Sequence, residues 1–334
     1  MKCLSRRIFL EPTKNDWESK GVFNPTVIEH EGVRHLFYRG VKEPNFSSIG
    51  HVKIKDGVLY RRDKPILWPT EEYEKVGVED PRITYIEADK KFHLLYTAYD
   101  GRSACVGYAV SDPPDSEGMF HFEKQGIVSP KVPVEEAMKI VGAERYKGRW
   151  KYLLNGKGKN TVVWDKDAVL FPEKIRGKYA MLHRLDPDVQ IIYFDSFKEL
   201  QDDNFWRDYI KNIEEHVFMR QRHKWEDLKI GAGAVPVKTP YGWLLIYHAI
   251  EGPYEKRVYR AAAALADFEL KNEKRLEKPL FEPEFEWEKV GSVPDVVFPT
   301  GAIVDNGKLL VWYGAADTRI GLAEIDFEQL MKSF

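Results

Sequence analysis

Val78-Glu79-Asp80-Pro81-Arg82 sets two adjacent carboxylates and a guanidinium within one short segment. A desolvated carboxylic acid near an arginine can give a proton to a leaving oxygen, the first requirement of glycoside cleavage. The same residues also read as a strand-entry turn, because Asp-Pro is a common turn pair and Glu79 can pair with Arg82. An ordinary glycosidase needs a second carboxylate as base or nucleophile. Matching positions offer few: Asp167 is one, and Lys166 beside it suggests a different role. Cations and donors are commoner there: Arg39, Ser47, Ser48, Arg102, Lys166, His183, Arg184, His248 and Arg319. Each alone suits a surface or structural place. Together they suit an anion, and phosphate fits such donors well.

Short β runs must position these groups. Arg34–Arg39, Lys91–Thr97, Lys178–His183, Gly242–His248 and Lys308–Tyr313 are rich in aromatic and branched residues, and each follows a turn signal such as Asn306-Gly307. Each run follows a segment with a small or polar opening and precedes a third strand-like run. The unit recurs five times, which is the signature of an all-β, five-bladed β-propeller. The openings Asn24, Asp80, Asp167, Ala232 and Thr300 would then converge near one axis. Two stretches break the pattern: Pro133–Val141, and 197–228, read as a helical insertion within a single domain spanning 1–334. Phe205, Trp206 and Tyr209 make the insertion either a packed amphipathic helix or a lid with a sugar-stacking platform.

Composition narrows the partners. With 51 Lys+Arg against 53 Asp+Glu and a net charge of −2, the chain lacks the basic excess that nucleic acid requires. No apolar run suits a membrane helix, and the first residues lack a signal-peptide pattern. Cys3 and Cys105 stand alone, without metal-ligand spacing, and read as reduced thiols of a cytoplasmic protein. Aromatic residues reach 13%, enough for a core, a sugar-stacking surface, or both.

Glu79-Asp-Pro-Arg-Ile, Lys166-Asp-Ala-Val-Leu-Phe-Pro-Glu-Lys-Ile, Gly177-Lys-Tyr-Ala-Met-Leu-His-Arg184, Gly242-Trp-Leu-Leu-Ile-Tyr-His248 and Tyr313-Gly-Ala-Ala-Asp317 together resemble glycoside hydrolase family 130, the inverting β-mannoside phosphorylases with related β-mannosidases. The resemblance runs from about Phe23 to the C-terminus. It implies a five-bladed propeller and a glycosyltransferase-type phosphorylase that needs no cofactor beyond inorganic phosphate as co-substrate. Phosphate would attack a terminal β-mannosyl residue, reversibly and with inversion, to give α-mannose 1-phosphate. It further implies Asp80 as the acid, acting through a sugar hydroxyl, and Lys166, His183, Arg184 and Arg102 as phosphate ligands. Asn24, Arg39, Ser48, Arg82, Tyr99, Asp100, Tyr247, His248 and Asp317 would line the mannoside site. Where relatives carry an arginine this chain has Cys105. A mannosidase with Glu79, Glu144, Glu214 or Glu226 as base, and a non-catalytic glycan-binding propeller, are the rival readings. Pairing through propeller loops would make a homo-oligomer.

Overall fold

Each aromatic run becomes the second strand of an antiparallel meander, its large side chains packed between neighbouring sheets. The computed structural model describes residues 3–334 and is dominated by β-strands. The five first strands are Gly21–His30, Gly77–Ile86, Asp165–Leu170, Lys229–Ala232 and Val297–Asp305. The second strands are Val33–Lys42, Lys91–Tyr99, Tyr179–Leu185, Gly242–Glu251 and Lys308–Ala315. Third strands follow in each unit, and short fourth strands lie outermost. In the fifth unit the outermost strand is Ser5–Leu10, so residues far apart in sequence complete one sheet. A single parallel pairing, Ser47 with Gly77, joins the first two units. No sheet among the described residues closes on itself. The first strand of the fifth unit is tied to that of the first, where the Thr300 hydroxyl donates to the Pro25 carbonyl at 2.6 Å.

Four units share one buried lock. A helical turn precedes the first strand in Asp16-Trp17-Glu18, Glu72-Tyr73-Glu74, Lys224-Trp225-Glu226 and Glu286-Trp287-Glu288. The last glutamate of each is fully buried. It accepts a hydrogen bond from a second-strand tyrosine: Tyr38 to Glu18 at 2.6 Å, Tyr96 to Glu74 at 2.9 Å, Tyr247 to Glu226 at 2.8 Å, and Tyr313 to Glu288 at 2.6 Å. A buried carboxylate needs such a donor, since an unpaired one is very costly. Three of the rings lie over a glycine of the third strand. A Cβ at Gly50, Gly107 or Gly321 would come within 2.3 Å of the ring. In the third unit His183 stands in the tyrosine's place.

Three helices flank the third unit: α1 (Val134–Ile140), α2 (Glu144–Lys157) and α3 (Asp203–Lys211). Tyr146 and Trp150 of α2 share one core with Trp206 and Tyr209 of α3. Trp206 is fully buried and donates its indole N–H to the Leu200 carbonyl at 2.8 Å. Of the two readings of this aromatic cluster, packing therefore holds for Trp206 and Tyr209. Only α3 makes 197–228 properly helical. Val217–Met219 within it is the outermost strand of the third unit.

Candidate functional site

Four of the five first strands slip register near their openings: between Phe23 and Thr26, Glu79 and Arg82, Lys166 and Val169, and Pro299 and Gly301. A bulge of this kind re-aims the side chains it carries. Asn24, Asp80 and Asp167 take left-handed φ values of 49°, 50° and 58° there, which Asn and Asp tolerate better than other non-glycine residues. All three line one cleft of about 180 Å³.

The same cleft gathers Arg39 from the first unit, Lys166 and Arg184 from the third, His248 from the fourth and Asp317 from the fifth. Seven expected site residues thus meet: Asn24, Arg39, Asp80, Lys166, Arg184, His248 and Asp317. Asp80 is buried, and Asn24 Nδ2 donates to its Oδ1 at 2.8 Å. Arg39 Nη1 lies 3.6 Å from Oδ1 and Lys166 Nζ lies 3.8 Å from Oδ2. Arg39 itself is held by Glu79 at 2.7 Å and by the Ser47 hydroxyl at 2.8 Å. Burial pushes the Asp80 carboxyl up. Arg39, Lys166, Arg82 and the Asn24 hydrogen bond outweigh it, so the acid sits below its ordinary value. Burial dominates at Asp317 and, with the Asp80 charge adding to it against Arg39, raises it to about 6.

The opposite wall is a closed network. Arg184 engages Asp167, Asp186 at 2.7 Å, and His248 Nε2 at 3.0 Å. Lys229 reaches Asp186 at 3.3 Å. Burial, aided by the Arg184 and Lys229 charges, holds His248 well below its ordinary value, in the neutral form. Burial also lowers Lys229 to about 8, with Asp186 opposing.

Strand alternation removes other expected residues. Arg39, Arg184 and His248 face the cleft, so Tyr38, His183 and Tyr247 face the opposite way. His183 is fully buried between Asp165, at 2.9 Å, and the Tyr209 hydroxyl, at 2.8 Å, and cannot reach an anion in the cleft. Tyr247 is spent on Glu226. Ser47 rather than Ser48 turns inward, to Arg39. Arg82 is buried with its guanidinium on backbone carbonyls, those of Gly233 at 2.8 Å and of Asp80 at 3.0 Å, and its charge reaches the Asp80 carboxyl without a side-chain hydrogen bond. Arg102 is exposed, its N–H held by Asp100, whose carboxylate caps that turn at 2.7 Å. Tyr99 borders a side recess shared with Arg39, Glu79 and Lys166. Of the glutamates considered as bases, Glu79 alone lies beside Asp80. Glu226 is locked to Tyr247, while Glu144 and Glu214 pair with Lys147 and Arg220. Sequence reasoning missed Trp164, Asp186, Lys229, Tyr259 and Phe298 in the lining. Trp164, Lys229 and Phe298 each stand within three residues of an opening, a signal that was available. No group of three His, Cys, Asp or Glu among the described residues could hold a metal ion.

Asp80, buried beside two cations in a polar cleft on a β scaffold of repeated units, is an arrangement suited to acid-assisted glycoside cleavage with room for an anion. The chain belongs to glycoside hydrolase family 130. The family profile described as beta-1,4-mannooligosaccharide phosphorylase matches residues 7–113 and 122–334. The chain is 33% identical to a 1,2-beta-oligomannan phosphorylase of Thermoanaerobacter sp. (strain X514), over 99% of this chain and 98% of that protein. It is 35% identical to a beta-1,2-mannobiose phosphorylase of the same organism, over 98% and 97%. Among solved structures, the beta-1,2-mannobiose phosphorylase of Listeria innocua in complex with beta-1,2-mannobiose shares the fold. It has a TM-score of 0.67 and 24% identity, covering 94% of this chain and 92% of that one.

Proposed function

We propose that the chain is a β-mannoside phosphorylase in which Asp80 supplies the proton and Lys166 and Arg39 face the phosphate. The observation that carries this reading is Asp80 itself, a buried acid with Arg39 and Lys166 within 4 Å of its oxygens and, unlike Glu79, in the lining of the cleft. Family membership supports the substrate class, and the full-length relatives point to β-1,2 linkages.

With the cleft empty, the cations keep Asp80 ionised. An entering phosphate engages Lys166 and Arg39 and lessens their hold, so that Asp80 can take up a proton. A phosphate oxygen then forms a bond to C1 of the terminal mannosyl unit as the C1–O bond to the leaving sugar breaks. The Asp80 proton passes to that oxygen, relayed by a mannosyl hydroxyl. Inversion yields α-mannose 1-phosphate, and the mannosyl group has been transferred to phosphate. Phosphate replaces the water and base of a hydrolase, which agrees with the Arg39 and Ser47 bonds that already occupy Glu79. Asn24 and Asp317 are the mannosyl-side contacts, and Arg184 with His248 forms the floor. The five units act as blades of one propeller, a reading supported by five units sharing one cleft. Neither Cys3 nor Cys105 is paired, which favours a reducing, cytoplasmic setting. Incubating β-1,2- and β-1,4-mannobiose with inorganic phosphate and assaying mannose 1-phosphate tests the reading. It predicts product, with the β-1,2 substrate preferred. No product from either would refute it.

A further inference from the structure

A second cavity of about 670 Å³ adjoins the cleft, within the size range of small-molecule sites. The two spaces share Trp164, Asp186 and Lys229 and so meet along those side chains. The outer wall is α2, a helix that sequence patterning passed over. Tyr146 and Trp150 anchor α2 in the core. Tyr152 stays 62% exposed and stacks on Tyr254 of the fourth unit, with ring centres 5.1 Å apart and planes within 12°. Trp164 is half-buried and fixed by its indole N–H to the Arg102 carbonyl at 3.0 Å. Lys157, near the end of α2, lies 5.3 Å from the Trp164 ring centre. Arg257 lines the same wall.

Fixed aromatic faces interspersed with donors suit successive sugar rings, whose C–H faces pack on the aromatics while their hydroxyls accept from Arg and Lys. The inner cleft, about 180 Å³, is much the smaller space and holds the acid. A chain with its terminal unit there can leave past Trp164 into the larger cavity, which is roomier than the side recess of about 270 Å³ beside Tyr99. We infer that the α2 cavity binds the leaving-group side of a neutral β-mannoside chain, and that the enzyme favours substrates of three or more sugar units over the disaccharide. This rests on the phosphorylase reading.

The test compares kcat/KM for β-1,2-mannotetraose and β-1,2-mannobiose in the wild type and in Tyr152→Ala. Tyr152 is exposed and Ala favours helix, so the variant keeps its fold, checked by Tm. The tetraose-to-biose ratio of kcat/KM falls by about fivefold or more. An unchanged ratio overturns the inference. So does a wild-type preference for a leaving sugar bearing a phosphate or carboxylate, which the cationic lining could also draw. If the wild type cleaves neither substrate with phosphate, the phosphorylase reading has failed instead. Calorimetric binding of mannotetraose to both proteins then still decides: weaker binding by the variant supports the cavity's role, and equal binding overturns it.

Discussion

The two walls of the cleft contain the same kinds of charge and use them differently. Around Asp80, Arg39 and Lys166 stand 3.6 and 3.8 Å away, too far for tight hydrogen bonds, and Lys166 has no closer carboxylate. On the other wall, Arg184 is clasped by Asp167, Asp186 and His248. A loosely held cation such as Lys166 can exchange a protein carboxylate for an incoming anion at low cost. A fully engaged guanidinium cannot, because freeing it strands the buried Asp167 and leaves Asp186 to Lys229 alone. On the proposed mechanism the first wall is therefore the chemical one, and the second holds the units in place.

Asp80→Asn should separate the walls most sharply. It removes the acid and lowers the rate by about 10²- to 10⁴-fold. Tm should fall by a few degrees at most, because Glu79 still engages Arg39. A variant keeping more than about a third of the wild-type rate would place the acid elsewhere. Arg184→Ala should do the reverse and damage stability first. Breaking such a buried pair costs about 3–5 kcal/mol, read in a denaturant melt, and a cost below about 1 kcal/mol would make Arg184 a second free cation. Lys166→Ala should cost about 1.5–3 kcal/mol of phosphate binding, seen as a raised phosphate KM with a mannoside KM that moves less. Equal shifts in both constants would give Lys166 a structural part.

The smallest effect concerns Asp317. Its carboxyl is raised from 3.8 to about 6, chiefly by burial. The protonated form therefore favours the folded state. That contribution is complete below 3.8 and is lost as pH rises through about 6. Asp317→Asn cannot lose it, so its Tm relative to wild type should rise by about 2–4 °C between pH 4 and pH 7. A constant difference would mean that Asp317 titrates normally.

Much of this arrangement was legible in the chain. The five turn-strand units, the acid in Glu79-Asp80 and the seven residues now sharing the cleft follow from strand patterning, repetition and family motifs. His183 and Tyr247 were misplaced because a motif match fixes position along a strand but not the face. The alternation that puts His248 in the cleft necessarily puts Tyr247 outside it. The Trp/Tyr-Glu turns ahead of four units were a readable repeat that went unused, and they explain why Tyr247 is structural. α2 was hidden because Gly148 and Gly156 weaken its helical pattern, whereas the aromatic cluster of α3 drew attention as a platform and proved to be core.

On the proposed mechanism an anion replaces the second carboxylate, and proton NMR of β-1,2-mannobiose with the wild-type enzyme, in phosphate and in a phosphate-free buffer, shows whether it does. Cleavage should require phosphate and yield mannose 1-phosphate as its α anomer. Release of free mannose at the same rate in both buffers would contradict the account.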